Sequence, residues 1–367
     1  MVISSAFWRG RRVFVTGHTG FKGSWLCLWL ERLGARVTGF ALDAPTHPAL
    51  FEAAQVAAGL THIAGDVRDA TRLRSAMEAA RPDVVFHLAA QSLVRQSYLE
   101  PVETYATNVM GTVHLLDAVR HVSSVRAVVN VTSDKCYENR EIMRGYLESD
   151  ALGGHDPYSN SKGCAELVTA AYRQSFFDAA GDGARTAVAT ARAGNVIGGG
   201  DWATDRLVPD LLRAADRGEP AIVRRPQAVR PWQHVLEPLA GYLALAERLH
   251  EEGSRFAGPW NFGPVADDIR PVEEIAAALL SALGEGTFVV QQEAGAPHEA
   301  GLLLLDAGKA RAQLGWDTLL KLDEALRWIA EWHRTVRSGA SARTITLAQI
   351  ERYEARIDAA SPAHIRG

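Results

Sequence analysis

The chain has 367 residues, of which 47% are hydrophobic and 22% charged, with a formal net charge of −4. This is the composition of an ordinary globular protein long enough for one large or two modest domains, and it excludes a disordered chain. The slight acidic excess offers no field to recruit nucleic acid or an anionic membrane, so any negatively charged ligand must be met by local cations or backbone amides.

In chain order, Met1 to Arg12 lack the apolar core and cleavage site of a signal peptide. The longest uninterrupted aliphatic run, Leu302 to Leu305, is far short of the ~20 residues of a membrane span, which predicts a cytoplasmic protein. Short β-branched or apolar runs at Val13–Thr16, Val37–Phe40, Thr61–Ala64, Val84–Ala89, Ala127–Val131 and Thr186–Ala191 alternate with longer amphipathic stretches. That alternation predicts an α/β fold of βα units around a parallel sheet. After the first run, Phe21, Trp25, Leu28 and Trp29 share a helical face that Leu26, Leu30 and Leu33 widen, and Gly34 closes the helix. Beyond Asn195 the alternation ends in the loop Gly198-Gly199-Gly200-Asp201-Trp202. The expected division is a dinucleotide-binding domain over 1–195, with 232–255 packing back on it, and a smaller mixed α/β substrate domain over 196–367. Cys27, Cys136 and Cys164 are too scattered for a metal site and read as free thiols in a reducing compartment.

Of the 39 basic residues only five are lysines. A guanidinium stays protonated, whereas an amine can be tuned, so Lys22, Lys135 and Lys162 mark where chemistry is expected. Lys22 lies in Thr16-Gly17-His18-Thr19-Gly20-Phe21-Lys22-Gly23, between the first strand and the first helix. Gly17, Gly20 and Gly23 permit a tight turn, bring backbone amides close to a pyrophosphate and let helix pack on strand, as a Rossmann-type doubly wound sheet requires. Asp43, with no arginine or lysine close behind to hold a 2′-phosphate, favours NAD over NADP. Asp66-Val67, beyond the third strand, offers a carboxylate and an amide to an adenine. Tyr158 and Lys162 are four apart and share a face on a helix, where the cation favours the phenolate. Ser133, Asp134 and Lys135 end the fifth strand, where ligands of open α/β sheets bind.

These strings resemble the nucleotide-sugar dehydratases of the extended short-chain dehydrogenase/reductase superfamily over nearly the whole chain. The resemblance also rests on His87-Leu88-Ala89-Ala90-Gln91, Thr107-Asn108-Val109-Met110-Gly111-Thr112, Asp156-Pro157-Tyr158-Ser159-Asn160-Ser161-Lys162, Arg192-Ala193-Gly194-Asn195 and Arg230-Pro231-Trp232-Gln233-His234-Val235. It implies NAD as cofactor, held by Gly17, Thr19, Gly20, Phe21, Lys22, Gly23, Asp43, Asp66, Val67, Leu88, Ala89, Ala90, Thr107, Tyr158 and Lys162. It implies Gln91, Ser92, Asn108, Ser133, Asn195, Arg206, Leu207, Arg230 and His298 toward the substrate, and a homodimer or homotetramer. The dTDP-glucose and GDP-mannose dehydratases typically carry Asp-Glu where this chain has Asp134-Lys135, and the CDP-glucose group carries Asp-Lys, which implies CDP-glucose as substrate.

By the same resemblance Tyr158, with Lys162 and Ser133, takes the C4 hydroxyl proton, Lys135 takes the C5 proton and Asp134 protonates the departing C6 hydroxyl. Alternatively Lys135 stays charged and stabilises the enolate. Other nucleotide-sugar dehydratases, a 4-epimerase, which has no use for Asp134-Lys135, and an NAD-sensing regulator remain as alternatives. His18 departs from the small residue usual at its position; an imidazole beside the pyrophosphate predicts a cofactor that exchanges. His234 is expected to be a structural hydrogen-bonder.

Overall fold

The computed structural model describes residues 1–178, 186–265, 268–291 and 301–360. Strands β1 (Arg12–Thr16), β2 (Arg36–Ala41), β3 (Thr61–Ala64), β4 (Val84–His87), β5 (Ala127–Val131) and β6 (Ala187–Ala193) fall on the six expected runs. With β7 (Gly258–Phe262) they form one parallel sheet in the order β7-β6-β5-β4-β1-β2-β3. Winding reverses between β1 and β4, so the carboxyl ends of these two strands flank the crevice where such sheets bind ligands. This is the Rossmann-type doubly wound sheet. β4 ends at His87, two residues earlier than expected. Leu88 and Ala89 leave the ladder to bond Thr16, through its carbonyl (3.1 Å) and its hydroxyl (3.3 Å).

One face of the sheet carries α1 (Phe21–Arg32), α6 (Leu236–Glu252) and α9 (Ala342–Ala360); the other carries α2 (Ala70–Ala80), α3 (Gly111–His121) and α4 (Pro157–Tyr172). The single apolar stripe expected of α1 understates its burial. Trp25, Leu26, Cys27, Leu28, Trp29 and Leu30 are all at most 2% exposed, because α9 closes over the side turned from the sheet. Glu354 of α9 accepts from Trp29 Nε1 at 2.9 Å and from Arg32 Nε at 2.8 Å.

A second, smaller lobe packs α5 (Leu207–Arg217), α7 (Val272–Leu283) and α8 (Leu322–Arg337) around Val208, Leu211, Ile275, Leu279, Leu326 and Ile329. Its edge is the parallel pair Pro220–Val223 with Thr287–Val290. Three later segments join the sheet lobe: helix α6 packs on the sheet, β7 pairs with β6, and α9 covers α1. β7 opens Gly258-Pro259, a strand-weakening pair tolerated here because β7 is an edge strand and a proline without an N–H can sit there.

Candidate active site

At the carboxyl end of β1 the backbone packs too closely for side chains. A Cβ on Gly17 (φ +73) would lie 2.6 Å from the amide nitrogen of Ala89, and one on Gly23 would lie 2.2 Å from the Gly17 carbonyl oxygen. Gly20, at the N-cap of α1, would meet only that carbonyl oxygen at 3.4 Å, and no side chain caps the helix. Its first amides are thus available at a positive helix end, and this cradle fits a dinucleotide pyrophosphate. Leu88, Ala89 and Ala90 form the wall opposite Gly17, half-buried, and Thr107 lies half-buried in a π-helical turn over 106–110.

The folded chain gives several cofactor-side candidates partners of their own. The Thr19 hydroxyl donates to the Leu42 carbonyl at 2.9 Å, tying the glycine turn to the end of β2, where Asp43 stands exposed. The Asp66 carboxylate is taken up by Arg68, whose Nε donates to both oxygens at 3.0 and 2.8 Å and holds that carboxyl below its usual range. Val67 is buried, and its carbonyl bonds the His114 ring at 3.0 Å. The His18 ring is turned into the protein: it is fully buried against Gly39 of β2, 2.7 Å from His62 Nδ1 and edge-on to Phe51. Burial, and then His62, push it down to about 4, so it is a neutral packing group.

The catalytic strings converge. Asp156 caps α4 by accepting from the Ser159 amide at 2.9 Å, and Pro157 presets the first helical residue, so Tyr158 and Lys162 stand one turn apart on a well-anchored helix. Facing them, the chain runs from the end of β5 through Thr132 and Ser133 into a single 3₁₀ turn over Asp134–Cys136. The Ser133 hydroxyl donates to Asp134 Oδ1 at 2.9 Å and accepts from the Lys135 amide at 3.2 Å. Asp134 Oδ2 is buried without a partner among the described residues. Burial raises Tyr158 to about 12, opposed by a hydrogen bond with Ser133 and by Arg206, while Asp134 adds to the rise. Lys162 donates to the Val131 carbonyl at 3.4 Å, and burial lowers it to about 8 against the pull of Glu166. A phenol and an ammonium so placed are a tunable acid–base pair.

On the substrate side the expectations divide. Asn108 is buried and fully occupied: its Nδ2 donates to the Gln91 carbonyl at 2.9 Å and to Ser161 Oγ at 2.8 Å, and its Oδ1 accepts from the Gln91 amide at 2.9 Å. The Gln91 side chain is likewise turned into its own loop, donating to Thr104 Oγ1 at 2.9 Å and to the Leu93 carbonyl at 3.1 Å. These bonds hold the loop that follows β4 in shape. Arg206 bridges the cleft, donating to Asp201 Oδ2 and to Ser92 Oγ, each at 3.0 Å. Leu207 opens α5 beside it, and Asn195 pairs in register with Trp232. Arg230 is buried and bonds the carbonyls of Val229 (2.9 Å) and Gly301 (3.0 Å). His298 lies outside the described residues. His234 is wholly buried, edge-on to Trp25 and Trp328, and burial takes it down to about 3.

A sequence model of the family described as GDP-mannose 4,6 dehydratase matches residues 14–329. The chain belongs to that family. It is 53% identical over 334 residues to the CDP-glucose 4,6-dehydratase of Salmonella typhimurium, covering 91% of this chain and 93% of that protein. It is 25% identical over 343 residues to a probable dTDP-glucose 4,6-dehydratase of Sinorhizobium fredii, covering 88% and 92%. Among solved structures, MoeE5 in complex with UDP-glucose and NAD superposes with a TM-score of 0.74 at 26% identity, covering 89% of this chain and 99% of MoeE5.

Within this dehydratase-family frame, two residues take on a place that their strings did not reveal. Lys22 looked like part of the cofactor loop alone. The fold gathers it with Lys162, Arg206, Asp134 and Asp201, and burial followed by the two cations lowers it to about 7. Asp201 is buried and pairs with Arg206. No local pattern marks it, because the glycine-rich loop that carries it is placed by α1: Trp25 Nε1 donates to the Gly199 carbonyl at 2.9 Å.

Proposed function

We propose that the protein is an NAD-dependent lyase that converts CDP-D-glucose to CDP-4-dehydro-6-deoxy-D-glucose and water. The observation that carries this reading is the Asp134-Lys135 turn beside Ser133, Tyr158 and Lys162 at the carboxyl end of β5. The 53% identity to a CDP-glucose 4,6-dehydratase supports it. Tyr158, its proton shared with Ser133 and its anion favoured by Lys162, takes the C4 hydroxyl proton. NAD, when bound, would supply the hydride acceptor for C4 and the hydride donor for C6. The resulting C4 ketone acidifies the C5 proton, which Lys135 removes. Asp134, through Oδ2, hands a proton to the departing C6 hydroxyl and water leaves; as hydride arrives at C6, the protonated Lys135 returns its proton to C5. Gly17, Gly20, Gly23 and the wall at Leu88-Ala89-Ala90 hold the cofactor. Arg206, Arg230, Asn195 and Ser92 hold the diphosphate and sugar, where charge-assisted bonds from arginine offset the acidic balance of the chain.

The sheet lobe then serves the cofactor and the second lobe the nucleotide sugar. The enzyme works in the cytoplasm, as a homodimer or homotetramer. Free cysteines support the compartment, and no helix among the described residues is long and apolar enough to cross a membrane. Exposed Leu99, Val102 and Leu167, on α4 and the two short helices packed beside it, support self-association; light scattering gives the mass.

Incubation with CDP-glucose and NAD tests the reaction, with the 4-keto-6-deoxy sugar detected by its absorbance in alkali. Product from dTDP-glucose or GDP-mannose but none from CDP-glucose would sink the choice of nucleotide. A C4 epimer without loss of water would make the protein an epimerase, and no turnover of any of these would leave it a binding protein.

A further inference from the structure

Glu166 follows Lys162 by one helical turn and Tyr158 by two, so all three lie on one face of α4. It is 3% exposed, and every donor around it converges on its carboxylate. Thr132 Oγ1 donates to Oε1 and Thr190 Oγ1 to Oε2 (2.7 Å), while Arg192 supplies Nε to Oε1 (2.9 Å) and Nη2 to Oε2 (2.8 Å). Arg192, in β6 and 2% exposed, turns its remaining nitrogen to the Tyr137 hydroxyl at 2.7 Å and the Glu148 carbonyl at 3.3 Å. The Tyr137 hydroxyl in turn donates to Asn261 Oδ1 of β7 at 2.8 Å. Thr132 immediately precedes the Ser133–Cys136 turn and Tyr137 immediately follows it. The network therefore grips both ends of the segment that carries Ser133, Asp134 and Lys135, and ties it to the helix that carries Tyr158 and Lys162.

A buried ion pair is a poor way to gain stability, since well-packed apolar residues commonly do as well, but it specifies geometry because its hydrogen bonds tolerate little displacement. We propose that Glu166 and Arg192 are positioning residues that hold the Ser133–Asp134–Lys135 turn in register with Tyr158 and Lys162, so that elimination across C5 and C6 follows oxidation at C4 in the same site. The proposal rests on the reading of the protein as a 4,6-dehydratase. The pair also bears on the charge of Lys162, whose ammonium is favoured by Glu166 and Cys136 and which in turn disfavours charge on Lys22 and His87. Removing the carboxylate leaves the Arg192 cation and disfavours the ammonium; removing the cation leaves the Glu166 anion and favours it.

Tyr137→Phe removes one hydroxyl and keeps the ring, so it is the variant most certain to fold. In single turnovers with CDP-glucose and NAD, the fraction of 4-keto sugar that has not lost water should rise severalfold. In the protein without ligands, amide hydrogen exchange across 132–137 should quicken about tenfold. The charge variants are read separately: the alkaline limb of the kcat profile should move to lower pH in Glu166→Gln, to higher pH in Arg192→Met, and return near the parent in the double variant. A merely structural pair would move the limb the same way in both single variants or not at all. That result, or unchanged partition and exchange in Tyr137→Phe, overturns the proposal. If the parent turns over a different nucleotide-glucose, the choice of CDP-glucose fails and the same measurements are made with that sugar. If it turns over none, the dehydratase reading fails, and the exchange measurement alone decides whether the network holds the turn.

Discussion

On the sheet side of the cleft, Ser133, Asp134, Tyr158 and Lys162 are each less than a tenth exposed and sit on a strand end and a capped helix. On the opposite side Asn195, Arg206 and Leu207 are only half-buried, and the strand pairs around them are two or three residues long. The first wall is held by hydrogen bonds among buried groups that side chains cannot leave cheaply; on the second, the Arg206 end of its pair with Asp201 is open to water, which weakens its hold on any one geometry. The function proposed above puts chemistry on the rigid wall, where a small displacement is expensive, and recognition of a large ligand on the wall that can adapt.

That contrast sets the scale of what each wall should lose. Tyr158→Phe removes the C4 acid–base group and should lower kcat by about 10³-fold with the protein still folded, read from product absorbance in alkali. Lys135→Met should lower dehydration by about 10²-fold. In deuterated water it should also abolish exchange at C5; retained exchange would show that Lys135 is not the base and that its charge stabilises the enolate.

The pH dependence belongs to the same wall. Lys162 must be charged to favour the Tyr158 phenolate, so kcat should fall as pH rises through about 8, and Lys162→Met should lack that limb. A buried carboxyl elsewhere sharpens the point. Glu237 of α6 accepts from the amides of Leu319 (3.0 Å) and Leu320 (2.6 Å) and from the Tyr353 hydroxyl (2.7 Å), yet burial raises it to about 8. A folded-state pKa above the unfolded one gives stability that is full at acid pH and lost as pH rises through the folded value. Relative to Glu237→Gln, the parent should therefore lose up to a few kcal/mol between about pH 4.5 and 8, seen in denaturant midpoints. The smallest effect is expected on the adaptable wall: Arg206→Ala should raise KM about tenfold with kcat nearly unchanged. A fall in kcat as large as that of Lys135→Met would erase the distinction between the two walls.

Much of the rigid wall was legible from residue types and spacing. Gly17, Gly20 and Gly23 after a β-branched run, and Tyr158 four before Lys162, are local patterns whose chemistry follows from geometry over a few residues. Glu166 continues the same spacing by one more turn, and that periodicity could have pointed to it. What the strings could not give is each side chain's partner in the fold. Asn108, Gln91, Thr19 and Asp66 lie in strings that resemble ligand-binding ones, and each bonds a group elsewhere in the folded chain. The His18 ring is likewise drawn into the space left by Gly39.

By itself the chain determined the order of βα units, the glycine turn and the Tyr158–Lys162 helix, since each depends on interactions that close within a few residues. Only the tertiary structure decided that Lys22 joins Asp134, Lys162, Arg206 and Asp201, that β7 and α9 return to the first lobe, and that Thr132 and Tyr137 are tied together through Glu166 and Arg192. These depend on groups up to hundreds of residues apart meeting in a buried, low-dielectric space, where unsatisfied charges and hydrogen-bonding groups are costly enough to select one arrangement.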